Sequence, residues 1–483
     1  MEKIYLSINT SLIVIFIIGL FFIGLGYIKS KKITNNNRYI VGERKESLLS
    51  LTSSLTASAL GAWILFGPAS AATWGGIGAV IGYALGTAAP MLFLYNFGPK
   101  IRKEFPKGLS LTDFIKKRFG KKILKICLFL ILFYLTIFLI AEVTAIGFLL
   151  KFISNIPLWV TSGVTLIICL LYILRGGFKL SIITDKYQFF FILLITLIAF
   201  FLIMEKINFS PLEIVKKESS ILLDKRYLPN YTAGLTFFIA VAATNLFHQG
   251  NWQRVFSAKN DKILKSSLVL SSLIIFILVF GMGFSGLLSF SLNQKVLPDL
   301  AFFDLILDQK KTLITIGILI LAMSLTLSTI DTLINAITSL LIINGNEINR
   351  NLKGKKIKEK SDKIIILLSV LVFYIASKGF SILYLFLIAD LLCCAAVITI
   401  FYGFFEKNID YKLSISSIFS GLIAGLLFFP SQNFQTSILV GNIVSIERFN
   451  SIISNNLLFI SFTISIMVPL IIIFFYSFRN SFK

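Results

Sequence analysis

Ser53-Ser54-Leu55-Thr56-Ala57-Ser58-Ala59-Leu60-Gly61-Ala62-Trp63-Ile64-Leu65-Phe66-Gly67-Pro68 sets the fold, because it mixes small residues, glycine and proline inside a run long and apolar enough to cross a bilayer. In hydrocarbon each freed backbone group needs a partner, so an interrupted helix persists only where it is buried in protein or lines a cavity. A second such segment ends Ala242-Ala243-Thr244-Asn245-Leu246-Phe247-His248-Gln249-Gly250. Between the starts of these two lie five membrane runs, beginning at 48, 75, 123, 157 and 181, with the later segment beginning at 232. An odd number makes the second group enter from the opposite side. This is the arithmetic of an inverted repeat, in which two unwound helices meet at the midplane and present carbonyls to ions and helix ends to solute. Glycine and proline that merely permit close packing are the plainer alternative.

The rest of the chain fits this frame. Its 483 residues are 56% hydrophobic and include 48 phenylalanines, with a mean hydropathy of +0.88. That composition excludes a soluble globular domain and specifies an all-α polytopic membrane protein. About thirteen spans are legible: an extra helix at 7–28, five within 48–204, five within 232–404 and two within 412–483. The net charge of +23 does not call for nucleic acid. With the N-terminus outside, the basic stretches 29–47, 99–122, 250–264 and 344–362 all fall on the cytoplasmic side, and the C-terminus is inside. The expected location is an inner or plasma membrane, with the first helix a retained anchor. Cys127, Cys169, Cys393 and Cys394 lie in apolar runs without metal spacing, and His248 is the only histidine, which excludes most membrane redox centres. No loop carries a nucleophile and base, so an enzyme is not expected.

Within 312–343 the polar residues Ser324, Ser328, Asp331 and Asn335 share one helix face, flanked by Thr329 and Thr332. An acid at membrane depth costs about 2.5–3.5 kcal/mol, so that face meets protein, water or an ion. Hydroxyls, carbonyls and a carboxylate suit a small hard cation, while hydrogen bonding between helices is the alternative. Glu142 occupies the matching helix of the first half. Asp185 stands near the cytoplasmic end of its span, within reach of Lys179 or Lys186 in an interfacial reading.

Taken together, the 48–98 stretch, Gly176-Gly177-(x)6-Thr184-Asp185-x-x-Gln188, the Trp252-Gln253-Arg254-(x)3-Ala258-Lys259 loop and Ser328-Thr329-Ile330-Asp331-Thr332-Leu333-Ile334-Asn335 resemble the sodium:solute symporter family. The resemblance covers roughly 40–404 and implies a LeuT-like five-plus-five core. It implies a sodium site made by carbonyls of Ala57, Leu60 and Leu325 with the hydroxyls of Ser328 and Thr329. It also implies a second ion position at Asp185, Asp331 and Thr332, where a carboxylate replaces one family hydroxyl. Such an acid pair would bind a second sodium, share a proton, or take a proton instead of sodium.

For solute, the resemblance puts Trp63, Phe66 and Phe138 at pocket positions; Glu142, Thr244, Asn245 and Gln249 are the candidate polar contacts, with a structural hydrogen bond between helices the equal alternative for Glu142. The family's proline-type aspartate and tryptophan positions hold Ala59 and Ala242, so proline is not assigned. The expected function is sodium-coupled import of a small polar solute such as an amino acid or urea, with sodium as the coupling ion. A sodium-independent or proton-coupled permease or channel, or a non-transporting sensor, are the alternatives.

Overall fold

A computed structural model describes residues 4–29, 36–308, 311–345, 355–406, 409–432, 434, 436–440 and 456–481. The helices are α1 (Ile8–Lys29), α2 (Asn36–Val41), α3 (Leu48–Ala59), α4 (Gly67–Glu104), α5 (Leu111–Ser154), α6 (Leu158–Lys206), α7 (Pro211–Glu218) and α8 (Leu228–Phe247). They continue as α9 (Gln249–Ser257), α10 (Asp261–Leu292), α11 (Ala301–Ile306), α12 (Thr312–Ile343), α13 (Lys355–Ala376), α14 (Ile382–Tyr402), α15 (Tyr411–Phe428) and α16 (Leu457–Ser481). Among the described residues nine of them are long and apolar enough to cross a membrane.

Helices and crossings do not correspond one to one. The 49 residues of α6 would extend about 74 Å at 1.5 Å per residue, more than twice a hydrocarbon core of about 30 Å. Gly177, at φ 54° and ψ −145°, folds that helix into two arms. A side chain there would strike the ring of Tyr39, so both the dihedral and the space require glycine. Gly76 (φ 60°) bends α4 and Gly120 (φ 78°) bends α5 in the same way. The basic stretch 99–122 is therefore helical except at 105–110, with Gly120 bending its second helix, and the membrane runs beginning at 157 and 181 are joined within α6 at Gly177.

Beyond its bend, α4 lies between α8 and α10. Gly78 and Gly82 face the α8 backbone so closely that a Cβ on either would overlap the carbonyl of Asn230 or Gly234. Lipid gives helices no hydrophobic reason to associate, and such small-residue seams supply van der Waals contact instead. Helix α12 is central, buried from Leu319 to Leu340 except for Ile320, and packs on α3, α5, α6 and α9. By contrast α1, α13 and α16 display Phe16, Leu367 and Phe475 outward, as a lipid-facing perimeter requires.

Candidate functional site

The interruption after α3 is built by three local choices. Leu60 leaves the helix at φ −106° and ψ 97°, and its N–H closes the last helical bond to the Thr56 carbonyl at 3.2 Å. Gly61 runs extended (φ −92°, ψ −175°), and Ala62–Leu65 form one 3₁₀ turn before α4. The Ala62 N–H, which an unbroken helix would aim at the Ser58 carbonyl, instead donates to Glu142 Oε2 at 2.8 Å. Glu142 comes from α5, is fully buried, and leans on Gly61 so tightly that a Cβ would overlap its carboxylate. The residues from Ala57 to Leu60 thus lose their i+4 donors inside the membrane, the condition that frees carbonyls for a ligand.

Facing this break is α12. Ala57, Leu60, Leu325 and Ser328 have no exposed surface and Thr329 is 4% exposed. Thr329 lines the same small cavity as Ser58 and Ala59, which brings one of the two hydroxyl residues expected from the sequence to the broken segment, while Ser328 turns toward Asp185. The Thr329 hydroxyl donates to the Leu325 carbonyl at 3.1 Å, and the Ser328 hydroxyl to Asp185 Oδ1 at 2.7 Å.

Asp185 lies deeper than its reading as an interfacial acid allows. It is fully buried while Lys179 and Lys186 are exposed, and its partner is Arg254, at 2.9 Å. The guanidinium also donates to Ser54 Oγ (2.8 Å), the Gly250 carbonyl (3.0 Å) and Thr332 Oγ1 (3.1 Å). Ser54 completes the ring by donating to Asp185 Oδ2 at 2.5 Å. Next to this, Asp331 accepts from Ser181 (2.7 Å), Tyr172 (2.9 Å) and Thr184 (3.1 Å). Asp185, Asp331 and Thr332 do come together, around a cation that the chain itself provides.

Arg254 reaches that position because the chain breaks again after α8. His248 leaves the helix and its Nδ1 accepts the Gly250 N–H, opening α9. Side chains of Asn251 and Trp252 donate to the carbonyls of Asn245 and Leu246 at 2.9 and 2.8 Å, covering backbone groups released by the break. At Gly250 an added Cβ would lie 2.6 Å from Thr332 Cγ2, so glycine lets α9 seat against α12. Sequence reasoning passed over Arg254 as a site residue. Its only signal was the Trp-Gln-Arg motif, and its acid lies 69 residues away in the chain.

Between the two breaks lies a cavity of about 40 Å³, lined among others by Trp63, Tyr83, Phe138, Asn245, Phe386 and Asp390. Trp63 stacks on Tyr83 (5.6 Å, 18°) and Phe138 meets Phe386 edge-on (4.7 Å, 78°). Asp390 is 4% exposed and accepts the Thr244 hydroxyl at 2.6 Å. Of the solute positions expected from the sequence, Trp63, Phe138 and Asn245 line this cavity. The others have different places. Phe66 borders a separate vestibule of about 1020 Å³ with Ser70, Trp74, Lys151 and Asp299. Glu142 caps the break, Thr244 holds Asp390, and Gln249 donates to the Leu109 carbonyl at 3.3 Å. Tyr83 and Phe386 were missed because an aromatic in an apolar helix has no distinguishing pattern.

This geometry has relatives. Residues 39–425 match the model of the sodium:solute symporter family. The spermidine transporter DUR31 of Candida albicans is 25% identical over 435 residues, covering 88% of this chain and 81% of its own. A Na+-coupled sialic acid symporter in a substrate-bound outward-open state superposes with a TM-score of 0.72 at 17% identity, covering 96% of both chains. Mhp1, a nucleobase-cation-symport-1 family transporter solved closed around bromovinylhydantoin, gives 0.57 at 13% identity, covering 92% of this chain and 95% of its own. MhsT in complex with L-phenylalanine gives 0.52 at 12% identity, covering 89% and 98%. The architecture is thus the LeuT-like fold expected from the two broken helices, and the chain belongs to the sodium:solute symporter family.

Proposed function

We propose that this protein is a sodium-coupled symporter that imports a small organic solute by alternating access, with its N-terminus outside an inner or plasma membrane. One observation supports this above the rest: Thr329 of α12 meets Ser58 and Ala59 of the α3 break at one cavity, with Ser328 buried beside it. Carbonyl oxygens of Ala57, Leu60 and Leu325 and the hydroxyls of Ser328 and Thr329 would hold one sodium there. Five neutral oxygens suit a monovalent ion, which would tie the broken helix to α12.

We assign one sodium rather than two. The second position already holds the Arg254 guanidinium, within 2.9 Å of Asp185 and 3.1 Å of Thr332. With both carboxylates ionised, Asp185 and Asp331 carry two negative charges against one guanidinium, and a single sodium one turn away closes the balance. Burial of unpaired charge is costly enough to make that balance matter.

In this reading sodium favours the arrangement that opens the small cavity toward the vestibule, solute completes it, and loss of sodium to the cytoplasm releases both. One charge moved through about 100 mV contributes about 2.3 kcal/mol, or roughly fiftyfold accumulation of a neutral solute. The solute candidates are amino acids, urea and, from the Candida relative's described cargo, polyamines. The test is thermal unfolding of the purified protein in potassium, titrated with sodium. Saturable sodium-specific stabilisation, lost on Ser328→Ala with Thr329→Ala, is expected. Identical responses to sodium and potassium would overturn the proposal.

A further inference from the structure

We infer that the solute is an organic cation without a carboxylate: Asp390 is its counter-ion, and Glu142 holds the position that the carboxylate of a free amino acid would need. The inference rests on the symporter reading above and names its substrate class.

Broken helices of this architecture commonly aim the first N–H groups of a half-helix at an anionic group of the solute. Here the protein fills that position itself. The Ala62 N–H opens the outer segment of the break and donates to Glu142 Oε2 at 2.8 Å. Glu142 Oε1 accepts no hydrogen bond from any described residue, and Gly61 is pressed against the same carboxylate. A solute carboxylate brought to this break would find the Ala62 N–H already taken and the Glu142 carboxyl filling the space beside Gly61.

The cavity beside the break has the complementary character. Its acidic lining residue is Asp390, whose described hydrogen bond comes from the Thr244 hydroxyl. Neither lysine nor arginine is among its described lining residues. Trp63, Tyr83, Phe138 and Phe386 wall it with ring faces and edges. Aromatic faces attract a cation through their quadrupoles, more strongly when water is excluded, and a carboxylate supplies the compensating charge. At about 40 Å³ the cavity has room for an ammonium head of a few heavy atoms, since one water needs about 10–15 Å³ on the same measure. A neutral solute would leave Asp390 without a cation.

The experiment compares matched pairs that differ only by the carboxylate: cadaverine with lysine, putrescine with ornithine, and agmatine with arginine, with urea as a neutral control. Each is titrated against the purified full-length protein in sodium buffer, with the thermal midpoint as the readout. For at least one pair the amine stabilises saturably and its half-effect concentration is lower than that of its amino acid by at least about a hundredfold. Asp390→Asn abolishes the amine response and keeps the response to sodium alone, while Glu142→Gln narrows the gap within the pair. Amino acids binding as well as their amines would overturn the inference, as would urea acting while every amine is silent, or an undiminished amine response in Asp390→Asn. Absence of any sodium response would overturn the symporter reading instead, so the two failures are distinguishable.

Discussion

Replacing Arg254 by glutamine leaves Asp185 fully buried, with only the hydroxyls of Ser54 and Ser328 in contact. Removing one partner of a buried ion pair costs about 3–5 kcal/mol, because the remaining charge is uncompensated. Unfolding entropy of about 2.1 cal/mol/K per residue over 483 residues gives about 1 kcal/mol per degree. The Arg254→Gln protein should therefore unfold about 3–5 °C lower than wild type in potassium buffer. Asp185→Asn should cost a similar amount, since it strands the guanidinium. The double variant should lose less than the sum, because residues in one network couple by about 0.5–3 kcal/mol. Sodium discriminates further. If the guanidinium stands where a second ion would bind, high sodium should restore part of the Arg254→Gln loss, and the sodium response should become steeper than one-site. Midpoints for the four proteins in sodium and in potassium complete the cycle. Additive losses, or an Arg254→Gln midpoint within a degree of wild type, would contradict a buried Asp185–Arg254 pair of this strength.

Asp331→Asn removes a charge that the proposed sodium helps to balance and should weaken sodium binding about tenfold, from a coupling of roughly 1.4 kcal/mol, as read by sodium titration of stability. Gly61→Ala forces a methyl into the Glu142 carboxylate. It should lower the midpoint by about 1–3 °C, from an overpacking cost of about 1–3 kcal/mol, and should weaken sodium binding because the break itself shifts. Gly82→Val inserts a branched side chain where the α8 backbone already touches α4. It should reduce the folded yield in membranes, measured by detergent extraction and size-exclusion profile, while Gly24→Val, at a position open around its Cβ, should not.

The breaks were legible because they violate what a membrane helix ordinarily tolerates. Small residues, Gly61 and Pro68 in one apolar span leave a compositional mark, and Ser328 and Thr329 show themselves by helical spacing inside hydrocarbon. The ion pair was not legible. Asp185 has Lys186 beside it in sequence, yet adjacent residues on a helix point apart, and the buried partner arrives from a different broken helix. Glu142 shows the same limit: its polarity at membrane depth marked it, but only the fold reveals that it faces the Ala62 N–H rather than the cavity. Phe66 and Trp63 are three residues apart, yet Phe66 stands just outside the 3₁₀ turn at Ala62–Leu65 and lines a different cavity. Single glycines at Gly76 and Gly177 bend continuous helices where the hydropathy pattern suggests separate spans.

The most direct test is equilibrium binding of radiolabelled sodium to purified wild-type protein and to the Ser328→Ala, Thr329→Ala double variant, with potassium as competitor. Saturable binding of one sodium per protein, insensitive to potassium and lost in the variant, is expected. Binding that the double variant retains, or that potassium displaces as readily as sodium, would contradict a sodium site at Ser328 and Thr329.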